Sequence, residues 1–296
     1  MAASRPVQLF AAFATVYLVW GSTYLAIRVG VKDLPPVLFA GVRFVIAAPL
    51  LLIYAWSRGA RLPTQRRDWA VITITALLML AGANGMVTWS EQWVESNQAA
   101  LIVATSALWM AWFGSWGTRG EGISPLTLGG LLLGFLGVAL LVGSGMQMQL
   151  APWYAYAALT LSPIFWAAGS IISRRNPLSC APLMAAALQM AVTGVVMSGL
   201  GLALGDAGRW VLTRDSAIAL VYLAIAGSCL GYGAYYWLVY QVTPSQLGTY
   251  AYVNPAIAVL LGWWLLDEVM HPPQIVGTLV ILAGVALVTL ASRKPR

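Results

Sequence analysis

Charge is what this sequence has least of. Asp, Glu, Lys and Arg together make up 8% of 296 residues, and only nine of those are acidic. An average soluble domain is about 25% charged, so this chain does not have the polar groups to cover itself in water. One His, two Cys and two Lys (Lys32 and Lys294) are the next scarcities. His271 stands alone before two prolines, so a metal centre lacks ligands, and no metal site or cofactor is expected. Cys180 and Cys229 fall in different apolar segments, and nothing in their spacing pairs them. Neither lysine lies mid-span, where a covalently held chromophore would need one. His-Glu-x-x-His, Gly-x-Ser-x-Gly, Walker and paired intramembrane Asp motifs are absent, which argues against an enzyme or an ATP-driven pump. A filter loop or polar ring of the kind channels use is also missing.

What is present is apolar: 60% of residues, with 14 Trp and 12 Tyr and a mean hydropathy of +0.80. That rules out disorder and leaves an all-α polytopic membrane protein. A crossing needs about 20 apolar residues, and ten such stretches can be read. They run Leu9–Ile27, Pro36–Trp56, Trp69–Trp89, Gln98–Gly117, Pro125–Ser144, Ala151–Ile172, Ala181–Leu204, Ala217–Tyr240, Leu247–Leu266 and Pro273–Ala291. Barrel-type alternation over ~10 residues does not occur. The first stretch exceeds a typical signal h-region and no small-x-small site follows, so it is read as the first helix.

Positive charge gathers on one side of this arrangement. Arg5, Arg58, Arg61, Arg66, Arg67, Arg119, Arg174, Arg175, Arg293, Lys294 and Arg296 oppose Arg28, Lys32, Arg209 and Arg214. Such a bias places both termini in the cytoplasm. The net charge of +7 is then accounted for by topology and anionic lipid, and nucleic acid is not an expected partner.

The chain also matches itself. Trp20, Arg28, Pro36 and Ala40 align with Trp166, Arg174, Pro182 and Ala186 at an offset of 146. Glu121, Pro125 and Gly130 align with Glu268, Pro272 and Gly277 at 147, and Gly137–Leu140 recurs as Gly284–Leu287. Two five-helix units, 1–145 and 146–296, are expected. An odd number of spans gives them inverted topology, the design that supports alternating access in secondary transporters.

Val19-Trp20-Gly21-Ser22-Thr23-Tyr24, Pro36 with Arg43-Phe44, Asn84-Gly85-Met86-Val87-Thr88 and Tyr250-Ala251-Tyr252-Val253-Asn254-Pro255 resemble the drug/metabolite transporter superfamily. The similarity runs along essentially the whole chain to its EamA-domain family and is strongest to the YedA-like exporters. The resemblance implies a ten-helix inverted-repeat carrier of small metabolites in a bacterial inner membrane. It also implies a central cavity lined by helices 1, 3, 4, 6, 8 and 9, with 5 and 10 peripheral. A proline usual in mid-helix 4 is replaced by Thr105-Ser106-Ala107-Leu108-Trp109, while helix 9 keeps Pro255. A helix break at this level is therefore expected on one side only.

Candidate site residues follow from polarity inside apolar helices. Asn84, Thr88, Glu91 and Glu95 share one helical face, which should turn from lipid. Asn84 is a ligand candidate or an interhelical bond; Glu91 is a proton-coupling candidate or an interfacial carboxylate that reaches water. Mid-span aromatics and amides (Trp20, Tyr24, Trp109, Trp166, Tyr250 and Asn254) are expected around the substrate, suiting amino acids, amphiphilic or cationic compounds and drugs. Arg43, inside helix 2, is expected to play a structural polar role at a neighbouring broken helix, or else to bind a carboxylate. Its repeat position carries Gln189. Gly130, Gly134, Gly137, Gly277 and Gly284 suit close helix packing or a dimer face. Glu121 and Glu268 suit helix starts.

The expected function is a secondary transporter, acting as an exporter, whose partners are a small-molecule solute and membrane lipid, as a monomer or homodimer. A membrane-embedded sensor or scaffold is the alternative, and a membrane enzyme a weaker one.

Overall fold

A computed structural model describes residues 4–94, 96–118, 120–143, 151–266 and 271–291. Glu95, Arg119, Glu268, Arg293, Lys294 and Arg296 lie outside the described residues. The described residues form helices and connecting turns without strands.

The helices are α1 (Arg5–Gly30), α2 (Pro36–Ser57), α3 (Arg66–Ser90), α4 (Gln98–Ser115), α5 (Pro125–Gly143), α6 (Trp153–Arg175), α7 (Pro182–Ala203), α8 (Arg214–Val239), α9 (Tyr250–Leu266) and α10 (Pro272–Ala291). Among the described residues, eight are long and apolar enough to cross a membrane, and α5 and α9 are not among those eight. The ends follow local chemistry. Proline opens α2, α5, α7 and α10, where its missing N–H forfeits no helix bond. Thr213 and Ser216 make a reciprocal cap at the start of α8, satisfying donors that a helix start leaves open. Gly59 and Gly205, just beyond α2 and α7, have φ of 79° and 78°, the left-handed turn that ends helices and that side chains with a Cβ disfavour.

Small residues decide how the helices pair. α2 lies along α7, and α5 along α10. A Cβ on Gly130 would stand 2.9 Å from the Gly284 carbonyl oxygen, and one on Gly137 would stand 2.7 Å from the Ile281 amide nitrogen. The Gly130–Gly137 stripe is thus taken up by α10 of the same chain. Between these two pairs, α1, α3, α4, α6, α8 and α9 form the centre. Four fully buried tyrosines sit there: Tyr232, Tyr235, Tyr236 and Tyr252.

Among the described residues, two helices carry π-helical stretches. α3 is π-helical over Ala76–Asn84 and α8 over Leu223–Tyr232, each widened by the i→i+5 pattern that recurs at functional sites. α4 is interrupted at Thr105, whose N–H bonds the Ile102 carbonyl and whose carbonyl accepts from Leu108. A short turn, Pro244–Gly248, is likewise set off from α9 at Thr249. The expected one-sided break at Pro255 is therefore corrected: Pro255 lies within continuous α9. Threonine takes over the breaking role, since each hydroxyl bonds a carbonyl three residues back, Ile102 or Gln246, and tightens the turn.

Candidate functional site

The interruptions surround a cavity. It is lined by Trp20 and Tyr24 of α1, Arg43 and Phe44 of α2, and Leu80, Ala83 and Asn84 of α3. Ser106 comes from α4, Pro163 and Trp166 from α6, Gly227 and Tyr232 from α8, and Tyr250 and Asn254 from α9. The π-helical stretches supply Leu80, Ala83, Asn84, Gly227 and Tyr232. Their extra residue per turn swings these positions towards the centre. α5 and α10 contribute no described residue, in keeping with their peripheral place. α2 does contribute, through Arg43 and Phe44, which departs from the implied set of lining helices.

Trp20 is held on several sides. Its indole N–H donates to the Gly227 carbonyl at 3.0 Å. Its ring meets Trp166 and Tyr250 edge to face, with centroids 5.5 and 5.2 Å apart, and Tyr235 in a tilted contact at 5.1 Å. Gly231 beneath it has no side chain, and a Cβ there would collide with the indole. Trp166 donates to the Tyr235 hydroxyl at 2.8 Å, which is also paired with Ser170 at 2.7 Å. Edge-to-face contacts of this kind add about 0.5–1.5 kcal/mol each beyond burial, so the aromatic wall is rigid. The free space is about 80 Å³, well under the roughly 300–1,000 Å³ of drug-sized clefts. A solute larger than a few waters needs the helices to part.

Of the expected site residues, Trp20, Tyr24, Asn84, Trp166, Tyr250 and Asn254 come together on this cavity. Thr88 and Trp109 do not line it. The Thr88 hydroxyl donates to the Asn84 carbonyl at 2.9 Å, which spends it on its own helix. Trp109 lies a turn beyond Ser106 and makes tilted ring contacts with Trp112 and Phe113, at 5.3 and 5.8 Å. Trp112 and Trp116 of that cluster are 48% exposed, as aromatic anchors at a membrane surface are.

Arg43 is 5% exposed. Its Nε donates to Ser228 Oγ at 2.8 Å, its Nη1 reaches Asn84 Oδ1 only at 3.5 Å, and its guanidinium lies 5.0 Å from the Phe44 ring centroid. Ser228 in turn donates to the Leu223 carbonyl at 3.0 Å across the π-helical turn. Arg43 thus touches the irregular part of α8 through a side chain, without capping its carbonyls directly.

Glu91 follows the last residue of α3 and is fully buried, so the interfacial reading in which it reaches water is corrected. Neither carboxylate oxygen has a hydrogen-bond partner, while Arg28 donates to its main-chain carbonyl. Burial pushes the carboxyl well above the ordinary carboxylate range, with the Arg28 charge opposing. Tyr24 of the cavity wall is within its electrostatic reach.

Glu121 is not simply a helix-start carboxylate. It accepts from Arg174 Nη2 at 2.7 Å, and Arg174 also donates to the Val239 and Val242 carbonyls at the end of α8. Sequence reasoning missed Ser106, Ser162 and Gly227 as lining residues. The irregularity at Thr105 and the π-helical stretch of α8 turn Ser106 and Gly227 inward, and those have no simple sequence mark, whereas Ser162 lies in regular α6. Among the described residues, no three His, Cys, Asp or Glu side chains gather as a metal site.

Membrane-length helices wrapped around an internal aromatic and polar cavity define an integral membrane protein with a buried site. The model of the EamA-like transporter family matches the chain twice, over residues 8–143 and 153–290. The chain is 38% identical over 285 residues to the uncharacterized inner membrane transporter YedA of Escherichia coli K12, across 95% of this chain and 90% of that one. It is 24% identical to an uncharacterized transporter of Archaeoglobus fulgidus, across 93% and 95%, and 24% identical to PagO of Salmonella typhimurium, across 98% and 96%. A crystal structure superposes with a TM-score of 0.81 at 22% identity, covering 98% of this chain and 99% of that one. The chain belongs to the EamA-like transporter family.

Proposed function

We propose that this protein is a secondary transporter of the bacterial inner membrane that exports small metabolites by alternating access. The observation that carries the reading is the central cavity, walled by aligned positions of both halves, with Trp20 and Trp166 in contact across it. In this reading all ten helices cross the membrane as two inverted five-helix units, 1–145 and 146–296. The double family match supports it. So do the pairing of α2 with its counterpart α7 and of α5 with α10, and the π-helical stretches at corresponding places in α3 and α8. The excess of Arg and Lys on one side supports cytoplasmic termini, and the inner-membrane name of the Escherichia coli relative supports that location.

Because the free space is only about 80 Å³, a metabolite-sized solute fits only when one half moves against the other, which is what alternating access requires. The substrates in view are amino acids and amphiphilic compounds with an aromatic or apolar body. Arg43 on the wall repels the cationic members of the range expected from the aromatics alone. Glu91 is the coupling group: it holds a proton while buried and releases it when its pocket opens to water. Flux of amino acids, polyamines and aromatic acids into proteoliposomes, with and without a pH gradient, tests this. Saturable, gradient-dependent flux of one class is expected. Absence of flux for every solute removes the carrier reading, and gradient-independent flux removes Glu91 from coupling.

A further inference from the structure

Arg43 is the only charged side chain among the described residues that line the cavity, and it is nine-tenths buried or more. Among the described residues no carboxylate pairs with it. Its guanidinium has five N–H donors, of which one makes a good bond, to Ser228, and one a long contact, to Asn84. Gly227 lets the second terminal nitrogen approach its backbone closely: a Cβ there would stand only 3.1 Å from Nη2. A buried charge with spare donors facing a cavity is costly unless something completes it, and an ionisable group within a span marks a site by default.

The aligned position of the second half shows that a structural tie here needs no charge. Gln189 donates to Thr75 Oγ1 at 2.5 Å and accepts from the Tyr232 hydroxyl at 2.7 Å, joining α7 to α3 and α8 with a neutral amide. Arg43 joins α2 to the same two helices through Ser228 and Asn84, yet carries a full positive charge that these neutral partners do not balance. That charge faces the cavity beside the aromatic wall.

We propose that Arg43 is the anion-binding group of the transported solute, so that the cavity takes a monocarboxylate with an aromatic or apolar body. The planar fork donates to the two carboxylate oxygens side by side, and the body lies against Trp20, Trp166 and Tyr250. The inference rests on the reading of the cavity as the solute site and narrows its substrate class.

The test is calorimetric binding to the full-length protein in detergent, using benzoate, phenylacetate and indole-3-acetate, their matched primary amides, and phenethylammonium. The acids are expected to bind at least tenfold more tightly than the amides, with no binding of the ammonium. Arg43→Gln should bring the acids down to the level of the amides, and Arg43→Lys, which keeps charge but loses the fork, should retain part of the preference. Equal binding of acid and amide, no binding of any acid, or an unchanged preference in well-folded Arg43→Gln overturns the proposal. The acid–amide comparison on the unaltered protein decides the matter even where a variant fails to fold. Flux separates this inference from the carrier reading: acid binding without flux supports the anion site and removes the carrier, whereas flux of neutral solutes without acid preference leaves the carrier and removes the anion site.

Discussion

Trp20 and Trp166 hold the same place in the two aligned halves of the chain and meet edge to face, with ring centroids 5.5 Å apart and planes at 77°. The contact brings the first helix of each half together at the cavity wall. Each indole N–H is committed elsewhere, Trp20 to the Gly227 carbonyl and Trp166 to the Tyr235 hydroxyl. The pair therefore contributes faces and edges to the cavity, and its polar atoms hold the wall in place.

Replacing Trp20 by Phe keeps an aromatic ring but removes the Gly227 bond, a loss of about 1 kcal/mol. Trp20→Ala removes the ring contacts as well, and truncations of this size cost about 3–5 kcal/mol in well-packed sites. Melting in detergent should fall in the order wild type, Phe, Ala. Transport should drop steeply in the alanine variant, and unchanged flux there would take Trp20 out of the site.

Glu91 makes stability depend on pH with a definite sign. Its carboxyl is raised by burial above the unfolded value of about 4.3, so the folded chain holds a proton that the unfolded chain gives up. This stabilisation is complete below the unfolded value and is lost as pH rises through the folded one. Arg28 and Tyr24 are its charged and titratable neighbours. Glu91→Gln should flatten the fall of melting temperature with rising pH. It should also abolish the proton-driven component of flux, and persistence of that component rejects the coupling role.

The Arg174–Glu121 pair is partly exposed, at 28% and 34%, so the ion pair itself is worth no more than about 1 kcal/mol. Glu121→Gln should therefore be mild. Arg174→Ala should cost more, because it also strips the Val239 and Val242 carbonyls of a donor. Thermal denaturation of the two single variants separates the contributions, and equal effects would contradict the capping role.

Adjacent glycines in α5 should respond oppositely. A methyl group on Gly129 would meet nothing within 4 Å, whereas one on Gly130 would press on the Gly284 backbone oxygen at 2.9 Å. Gly129→Ala should stabilise by up to about 1 kcal/mol through helix propensity. Gly130→Ala should destabilise by forcing α5 and α10 apart, read as a lower melting temperature.

Much of this protein is decided by composition and spacing alone. Poverty of charge and runs of about 20 apolar residues dictate helices. The limits read for α2, Pro36–Trp56, differ by one residue from Pro36–Ser57, because proline and glycine punctuate helices locally. Trp20, Asn84, Trp166, Tyr250 and Asn254 were legible as cavity residues, since polar and aromatic groups in mid-span need shelter from lipid. What the tertiary structure alone decided is phase and partnership. The π-helical turns and the interruption at Thr105 rotate Ser106 and Gly227 inward and leave Trp109 outside, and such shifts depend on packing between helices remote in sequence. Arg43 shows the same division. Its type and depth in the sequence mark it as costly, but its place on the cavity wall, with spare donors and no acidic partner among the described residues, exists only once α2, α3 and α8 are brought together.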